Sequence, residues 1–154
     1  MNLNIYGGFF RNKRILITGN TGFVGAYLSL TLSMLGSKIL GYSLKKKDSR
    51  YISNKKDYKK KIKTIYDDIS KVSSHKSYIK RFKPQILIHL ASQPILSRSY
   101  IKSQTTYETN VMGTVKLLEL AKELKSLKNI LVFTSDKVYK NTKKKNLNEN
   151  LSLG

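Results

Sequence analysis

Apolar residues along this chain recur in two rhythms. Short unbroken runs at Arg14-Ile-Leu-Ile-Thr18, Gln85-Ile-Leu-Ile-His-Leu90 and Asn129-Ile-Leu-Val-Phe-Thr134 have the length and content of strands buried on both faces of a parallel sheet. Two further strands are expected at Ser37-Lys-Ile-Leu-Gly-Tyr-Ser43 and at Ile62-Lys-Thr-Ile-Tyr66, the second of which alternates. Helical spacing fills the intervals. Val24, Leu28, Leu32 and Leu35 recur before Gly36 ends the run, and Ser70 can cap a helix that reaches Phe82 and stops at Pro84. Tyr107, Val111, Val115, Leu118, Ala121 and Leu124 mark the longest helix, from Ser103 to Leu127. Leu44 to Lys61 is polar and Lys-rich and reads as a mobile surface loop that has room for a helical turn. Strands alternating with helices predict a doubly wound parallel α/β sheet ordered 3-2-1-4-5 with right-handed crossovers. The expected lobe covers residues 10–140, and 141–154 form an irregular polar tail.

The first strand is followed by Thr18-Gly-Asn-Thr-Gly-Phe-Val-Gly25, which opens the first helix. Strand, glycine turn and helix in that order make a phosphate site. Gly19 permits the tight turn, Gly22 lets the backbone approach a pyrophosphate, and Gly25 lets helix and strand pack closely. The helix N-terminus then presents unpaired N–H groups and a positive dipole end. The pattern predicts nucleotide binding on a Rossmann-type lobe.

Composition narrows the rest. With 154 residues there is room for one domain, and with no cysteine there are no disulfides or thiolate metal sites, as suits a reducing cytoplasm. His75 and His89 lie in unrelated segments, so no metal site is expected. No apolar run approaches membrane-spanning length and the N-terminus lacks a signal-peptide pattern, so a soluble, cytoplasmic protein without a membrane partner is expected. The formal charge of +21 is concentrated at Lys45–Lys47, Lys59–Lys63 and Lys143–Lys145. Such clusters attract phosphate. Lys, Asn, Ile and Ser are all abundant, however, as an A/T-rich coding sequence would produce, and no nucleic-acid-binding motif accompanies them. Nucleic acid is therefore not the expected partner.

Thr18-Gly-x-x-Gly-x-x-Gly25, Leu90-Ala-Ser-Gln-Pro94, Asn110-Val-Met-Gly-Thr114 and Thr134-Ser-Asp-Lys-Val-Tyr139 together resemble the extended short-chain dehydrogenase/reductase superfamily, the NAD-dependent epimerases and dehydratases. Within it, Gly41-Tyr-Ser-Leu44, Gln93-Pro94 and Ser135-Asp-Lys137 are most similar to the N-terminal part of the CDP-glucose 4,6-dehydratases. That resemblance implies NAD held by Thr18, Gly19, Thr21, Gly22, Phe23, Val24, Gly25 and Ser43. Asp68 and Ile69 would meet the adenine, Leu90, Ala91 and Ser92 would line the nicotinamide side, and Asn110 would tie the long helix to strand four. It also implies a nucleotide-sugar substrate. Ser135 would hydrogen-bond the C4 oxygen, Asp136 would be the acid that protonates the departing C6 hydroxyl, and Lys137 the base or proton shuttle near C5. Read alone, Asp68 serves equally as a helix cap, and Asp136 with Lys137 as a solvated turn pair.

The chain departs from this pattern in places. The Tyr-x-x-x-Lys pair of the superfamily would follow Gly154; the matches at Tyr51 to Lys55 and Tyr139 to Lys143 are of the kind that ten tyrosines among many lysines produce by chance. The expectation is an N-terminal portion lacking a sixth strand and the substrate domain, inactive alone, whose C-terminal half is a candidate separately encoded partner. After strand two Lys45 replaces the family's usual acid, which admits NADP beside NAD. A non-catalytic dinucleotide-binding module and a basic nucleic-acid binder are the competing readings.

Overall fold

Ile15, Leu16 and Ile17 are fully buried because β1 (Arg14–Thr18) runs through the middle of the sheet. The computed structural model describes residues 8–45, 51–135, 138–140, 148 and 150–152. Five parallel strands lie in the order β3-β2-β1-β4-β5, as the alternation of strand and helix predicts. The others are β2 (Lys38–Ser43), β3 (Lys63–Tyr66), β4 (Ile86–His89) and β5 (Asn129–Val132), each trimmed by one or two residues against the sequence reading.

Side chains alternate across the sheet, so β1 feeds two cores. Ile15 and Ile17 join Ile39 and Ile88 under α1 (Phe23–Met34) and α2 (Lys56–Lys61), against Ala26, Leu32 and Tyr58. Leu16 joins Leu40, Tyr42 and Leu87 on the other face. There the cover is Ile69 and Val72 from a 3₁₀ segment (Ile69–His75), Ile79 from α3 (Lys76–Phe82), and Leu117, Leu120 and Ala121 from α6 (Gly113–Lys122).

Three helical expectations need correction. The helix expected from Ser70 to Phe82 is two pieces, 3₁₀ then α, with weak helix formers Ser73, Ser74 and His75 at the change. The long helix is interrupted by a π turn (Glu108–Met112) between α5 (Ser103–Tyr107) and α6, and it ends at Lys122 instead of Leu127. After it the chain turns back so that the Ser126 hydroxyl donates to the Pro84 carbonyl (2.7 Å) and Lys128 N–H to Gln85 (2.8 Å). The described part of 44–61 is more ordered in form than a loop: a 3₁₀ turn (Ile52–Asn54) precedes α2, whose Tyr58 is buried. A short helix not read from the sequence, α4 (Leu96–Ile101), follows Pro94. No helix among the described residues is long and apolar enough to cross a membrane.

Candidate cofactor cleft

The glycine turn sits over the carboxyl ends of β1 and β2, where Gly19 N–H donates to the Tyr42 carbonyl (2.8 Å) and Gly22 N–H to the Gly19 carbonyl (2.9 Å). Gly19 has φ +73°, and a Cβ there would lie 2.7 Å from the backbone of Leu90 and Ala91. Side chains tolerate neither condition, so the position demands glycine. A Cβ on Gly25 would collide with the Gly19 carbonyl, which is how helix and turn pack so closely. α1 then begins with Gly22 as its cap, with no capping side chain and no acidic residue in its first turn. The N–H groups of Phe23, Val24 and Gly25 have no intrahelical acceptor, and nothing in that turn neutralises the dipole.

Around this turn lies a cleft. Gly19 and Gly22 form its centre; Tyr42, Ser43, Leu44, Asp67, Asp68 and Ile69 wall one end, and Leu90, Ala91, Ser92 and Thr109 the other. Of the residues expected at the cofactor, Gly19, Gly22, Ser43, Asp68, Ile69, Leu90, Ala91 and Ser92 thus come together in one place. Thr18, Thr21 and Gly25 are buried beneath it. The side chains of Phe23 (77% exposed) and Val24 (53%) point to solvent, so only their backbone N–H groups face the turn's anion-binding end.

Each end is braced by hydrogen bonds. Thr21 donates its hydroxyl to the Leu44 carbonyl (2.8 Å) and therefore accepts from Ser43 (2.7 Å), which locks the turn to the end of β2. Asn20 donates to Tyr58 (2.9 Å) and Thr64 (2.8 Å), and Tyr58 returns a bond to the Asn20 carbonyl (2.7 Å). Burial raises the Tyr58 phenol's pKa, keeping this a neutral brace. Asp68 accepts from Ser70 N–H (2.9 Å), so it is the cap that its sequence position allows while also lining the cleft. Asp67 meets His75 Nε2 at 2.9 Å and accepts from Asp68 N–H (2.7 Å); these bonds, the histidine's first, hold its carboxyl below the usual range. The Tyr42 hydroxyl donates to the Asp68 carbonyl (2.9 Å), and burial, then the charges of Asp67 and Asp68, push its pKa far up.

At the other end, Leu90 and Ala91 N–H groups both donate to Thr18 Oγ1 (3.2 Å each), which is 2.6 Å from His89 Nδ1. Asn110 holds the same segment further on: its Oδ1 accepts from Gln93 N–H (2.7 Å) and its Nδ2 donates to the Gln93 carbonyl (3.1 Å). The tie between the long helix and the segment after strand four therefore exists, and the π turn is where Asn110 makes it. Tyr42, Leu44, Asp67 and Thr109 line the cleft although the sequence reading assigned none of them to the cofactor. Tyr42 and Leu44 flank Ser43, so the end of β2 was itself the available signal. Thr109 carried none, because only the π turn brings it round.

Ser135 is exposed beyond the end of β5, on the carboxyl side of the sheet, and does not line this cleft. Asp136 and Lys137 lie outside the described residues, as do Lys46, Lys47 and Lys143–Lys145. Lys45 with Lys59 and Lys63 borders a second groove beside Tyr66 and Tyr78, and the described end of β2, Ser43-Leu44-Lys45, carries no carboxylate. No cluster of three or more metal-ligating side chains occurs among the described residues.

Residues 16–153 match the family described as GDP-mannose 4,6 dehydratase. This chain belongs to that family. It is 38% identical over 133 residues to the CDP-glucose 4,6-dehydratase of Salmonella typhimurium, covering 86% of this chain and 37% of that protein. It is 31% identical over 140 residues to the human dTDP-D-glucose 4,6-dehydratase, with 86% and 38% covered. Among solved structures, the dTDP-glucose 4,6-dehydratase from Bacillus anthracis, in complex with NAD, superposes with a TM-score of 0.71 at 24% identity, covering 92% of this chain and 44% of that one. The UDP-glucose 4-epimerase from Bifidobacterium longum, in complex with NAD+ and UDP, does so with a TM-score of 0.80 at 20% identity, covering 92% and 43%. This member of the dehydratase family thus spans less than half the length of these relatives, and the superpositions establish the shared fold.

Proposed function

We propose that this chain is the NAD-binding portion of a nucleotide-sugar 4,6-dehydratase, which in a completed enzyme converts CDP-glucose to CDP-4-keto-6-deoxyglucose. The observation that carries the reading is the glycine turn feeding an uncapped, acid-free helix N-terminus at the centre of a two-ended cleft. A pyrophosphate fits there because Gly19 and Gly22 leave its approach free of side chains. The adenosine half then lies over β2 and β3, by Tyr42, Asp68 and Ile69, and the nicotinamide half by Leu90, Ala91 and Ser92. When bound, NAD would take hydride from sugar C4 and give it back at C6.

In this reading Ser135 donates to the C4 oxygen, Asp136 protonates the leaving C6 hydroxyl and Lys137 takes the C5 proton. The substrate would rest against the carboxyl end of β5. That strand also offers the place where the remainder of the enzyme, a C-terminal half, would pack: Ile130, Leu131, Val132 and Phe133 are 37–51% exposed at a sheet edge. Parallel strands normally have both faces covered.

The test has two arms. NADH titrated into the chain should bind with a Kd in about the micromolar range, the working range of many enzyme ligands; absence of binding below millimolar NADH would sink the cofactor reading. CDP-glucose with the chain alone should give no 4-keto sugar. Adding the C-terminal portion of a CDP-glucose 4,6-dehydratase should restore turnover, and Lys137→Met should abolish it.

A further inference from the structure

His89 is 3% exposed, touches no cleft surface, and has no part in the reaction just described. Its ring is nevertheless bonded at both nitrogens. Nε2 lies 2.9 Å from Thr114 Oγ1, and Thr114 spends its only hydroxyl proton on the Asn110 carbonyl (2.7 Å). Thr114 can therefore only accept from the ring, which puts the imidazole proton on Nε2. Nδ1 is then a bare acceptor, and the Thr18 hydroxyl 2.6 Å away must donate to it. With its proton committed, Thr18 Oγ1 turns its lone pairs to the Leu90 and Ala91 N–H groups. Burial lowers the ring's pKa and keeps it neutral, in agreement with this pattern.

The consequence is geometric. Residues 90–93 leave β4, the first three of them wall one end of the cleft, and the segment is held at Leu90 and Ala91 by Thr18 and at Gln93 by Asn110. The two clamps belong to different elements, β1 and the π turn of the long helix. His89 bonds the first directly at Thr18 and reaches the second through Thr114 of α6, whose hydroxyl donates to the Asn110 carbonyl. The glycine turn rests on the same segment, since a Cβ on Gly19 would already strike Leu90 and Ala91.

We propose that His89 is a positioning residue that, through a fixed Nε2–H tautomer, holds the segment 90–93 in register with the glycine turn and so shapes the nicotinamide end of the cleft but not the adenosine end. The inference rests on the cofactor reading above. Its working half is the Nδ1 acceptor. Asparagine can place an acceptor near Nδ1, whereas leucine fills the space and leaves Thr18 without its acceptor.

The experiment compares NADH and ADP binding to the chain and to His89→Leu, His89→Asn and Thr18→Val. His89→Leu and Thr18→Val should weaken NADH about tenfold, the size of one lost buried hydrogen bond, and change ADP by less than about twofold. His89→Asn should recover most of the NADH affinity. Equal loss of NADH and ADP in both His89→Asn and Thr18→Val would make the network a fold element only and overturn the proposal. So would unchanged NADH binding in His89→Leu. If the parent chain binds ADP but not NADH, this inference falls together with the nicotinamide assignment; if it binds neither, the cofactor reading itself has failed. A nitrogen NMR spectrum supplies an independent readout: His89 should show a protonated Nε2 and an unprotonated Nδ1, and the opposite tautomer would overturn the mechanism.

Discussion

β1 and β5 are written in nearly the same letters, Arg14-Ile-Leu-Ile-Thr18 and Asn129-Ile-Leu-Val132, and they end in opposite environments. Ile15, Leu16 and Ile17 have no exposed surface, while Ile130, Leu131 and Val132 keep 46%, 51% and 37% of theirs. The difference is one of neighbours. β1 pairs with β2 and β4 and is covered by α1 on one face and by α6 with the 3₁₀ segment on the other. Among the described residues β5 pairs with β4 alone and stands at the edge of the sheet. Burying a leucine or isoleucine side chain is worth roughly 1.5–3 kcal/mol, so β1 collects that gain three times and β5 collects only part of it. An apolar run is a capacity for burial, realised only where other elements arrive.

The comparison can be broken most sharply by truncation. Leu16→Ala should destabilise the chain by about 3 kcal/mol in urea unfolding, as buried leucines do, and Leu131→Ala by less than about 0.5 kcal/mol. Comparable losses would mean that β5 is already covered in solution. In the presence of the complementing C-terminal portion, Leu131→Ala should become as costly as a core truncation.

Charge at the same place should have a smaller effect on the chain alone but a clear one on its association. An exposed apolar edge strand favours edge-to-edge pairing, and lysine opposes it. Leu131→Lys should lower self-association in sedimentation velocity with little change in Tm. It should also prevent rescue by the C-terminal portion, because the strand would then carry a charge into the covered face.

The smallest expected effect separates the buried register partner from the exposed one. His89 pairs with Val132 in the β4–β5 ladder, and burial sets its folded-state pKa below the ordinary 6.5. Between those values the unfolded chain binds a proton that the folded chain refuses, so stability is full above pH 6.5 and declines as pH falls through the window. Tm measured from pH 7.5 to 5 should fall, with a slope no greater than one proton, and His89→Asn should flatten it. Asp67 acts lower down. Its depressed carboxyl stabilises the fold above the ordinary value of 3.8 and loses that contribution as pH drops further.

Much of this arrangement is legible in the residues themselves. Short apolar runs, helical spacing and the Thr18–Gly25 turn carry the strand order, the crossovers and the centre of the cleft, because each depends on local periodicity or on a backbone shape that only glycine adopts. Ser43, Asp68, Leu90, Ala91 and Ser92 follow from standing just past a strand end, where an open parallel sheet opens its crevice. What lies within a few residues of its cause can be read in order.

The remainder depended on distant groups meeting. The apolar stripe at Tyr107, Val111 and Val115 has the spacing of a core helix, yet all three are exposed, and the buried face is Leu117, Leu120 and Ala121 beyond a π turn. That turn carries the bonds of Asn110 to Gln93, and the first turn of α6 just past it that of Thr114 to His89, side chains that no pattern along the helix connects. Likewise, which of two similar isoleucine-leucine strands is buried, and which proton His89 keeps, are settled by partners drawn from other elements. Periodicity specifies what a segment can bury and how it can bend; the neighbours that make use of it exist only once the chain has closed on itself.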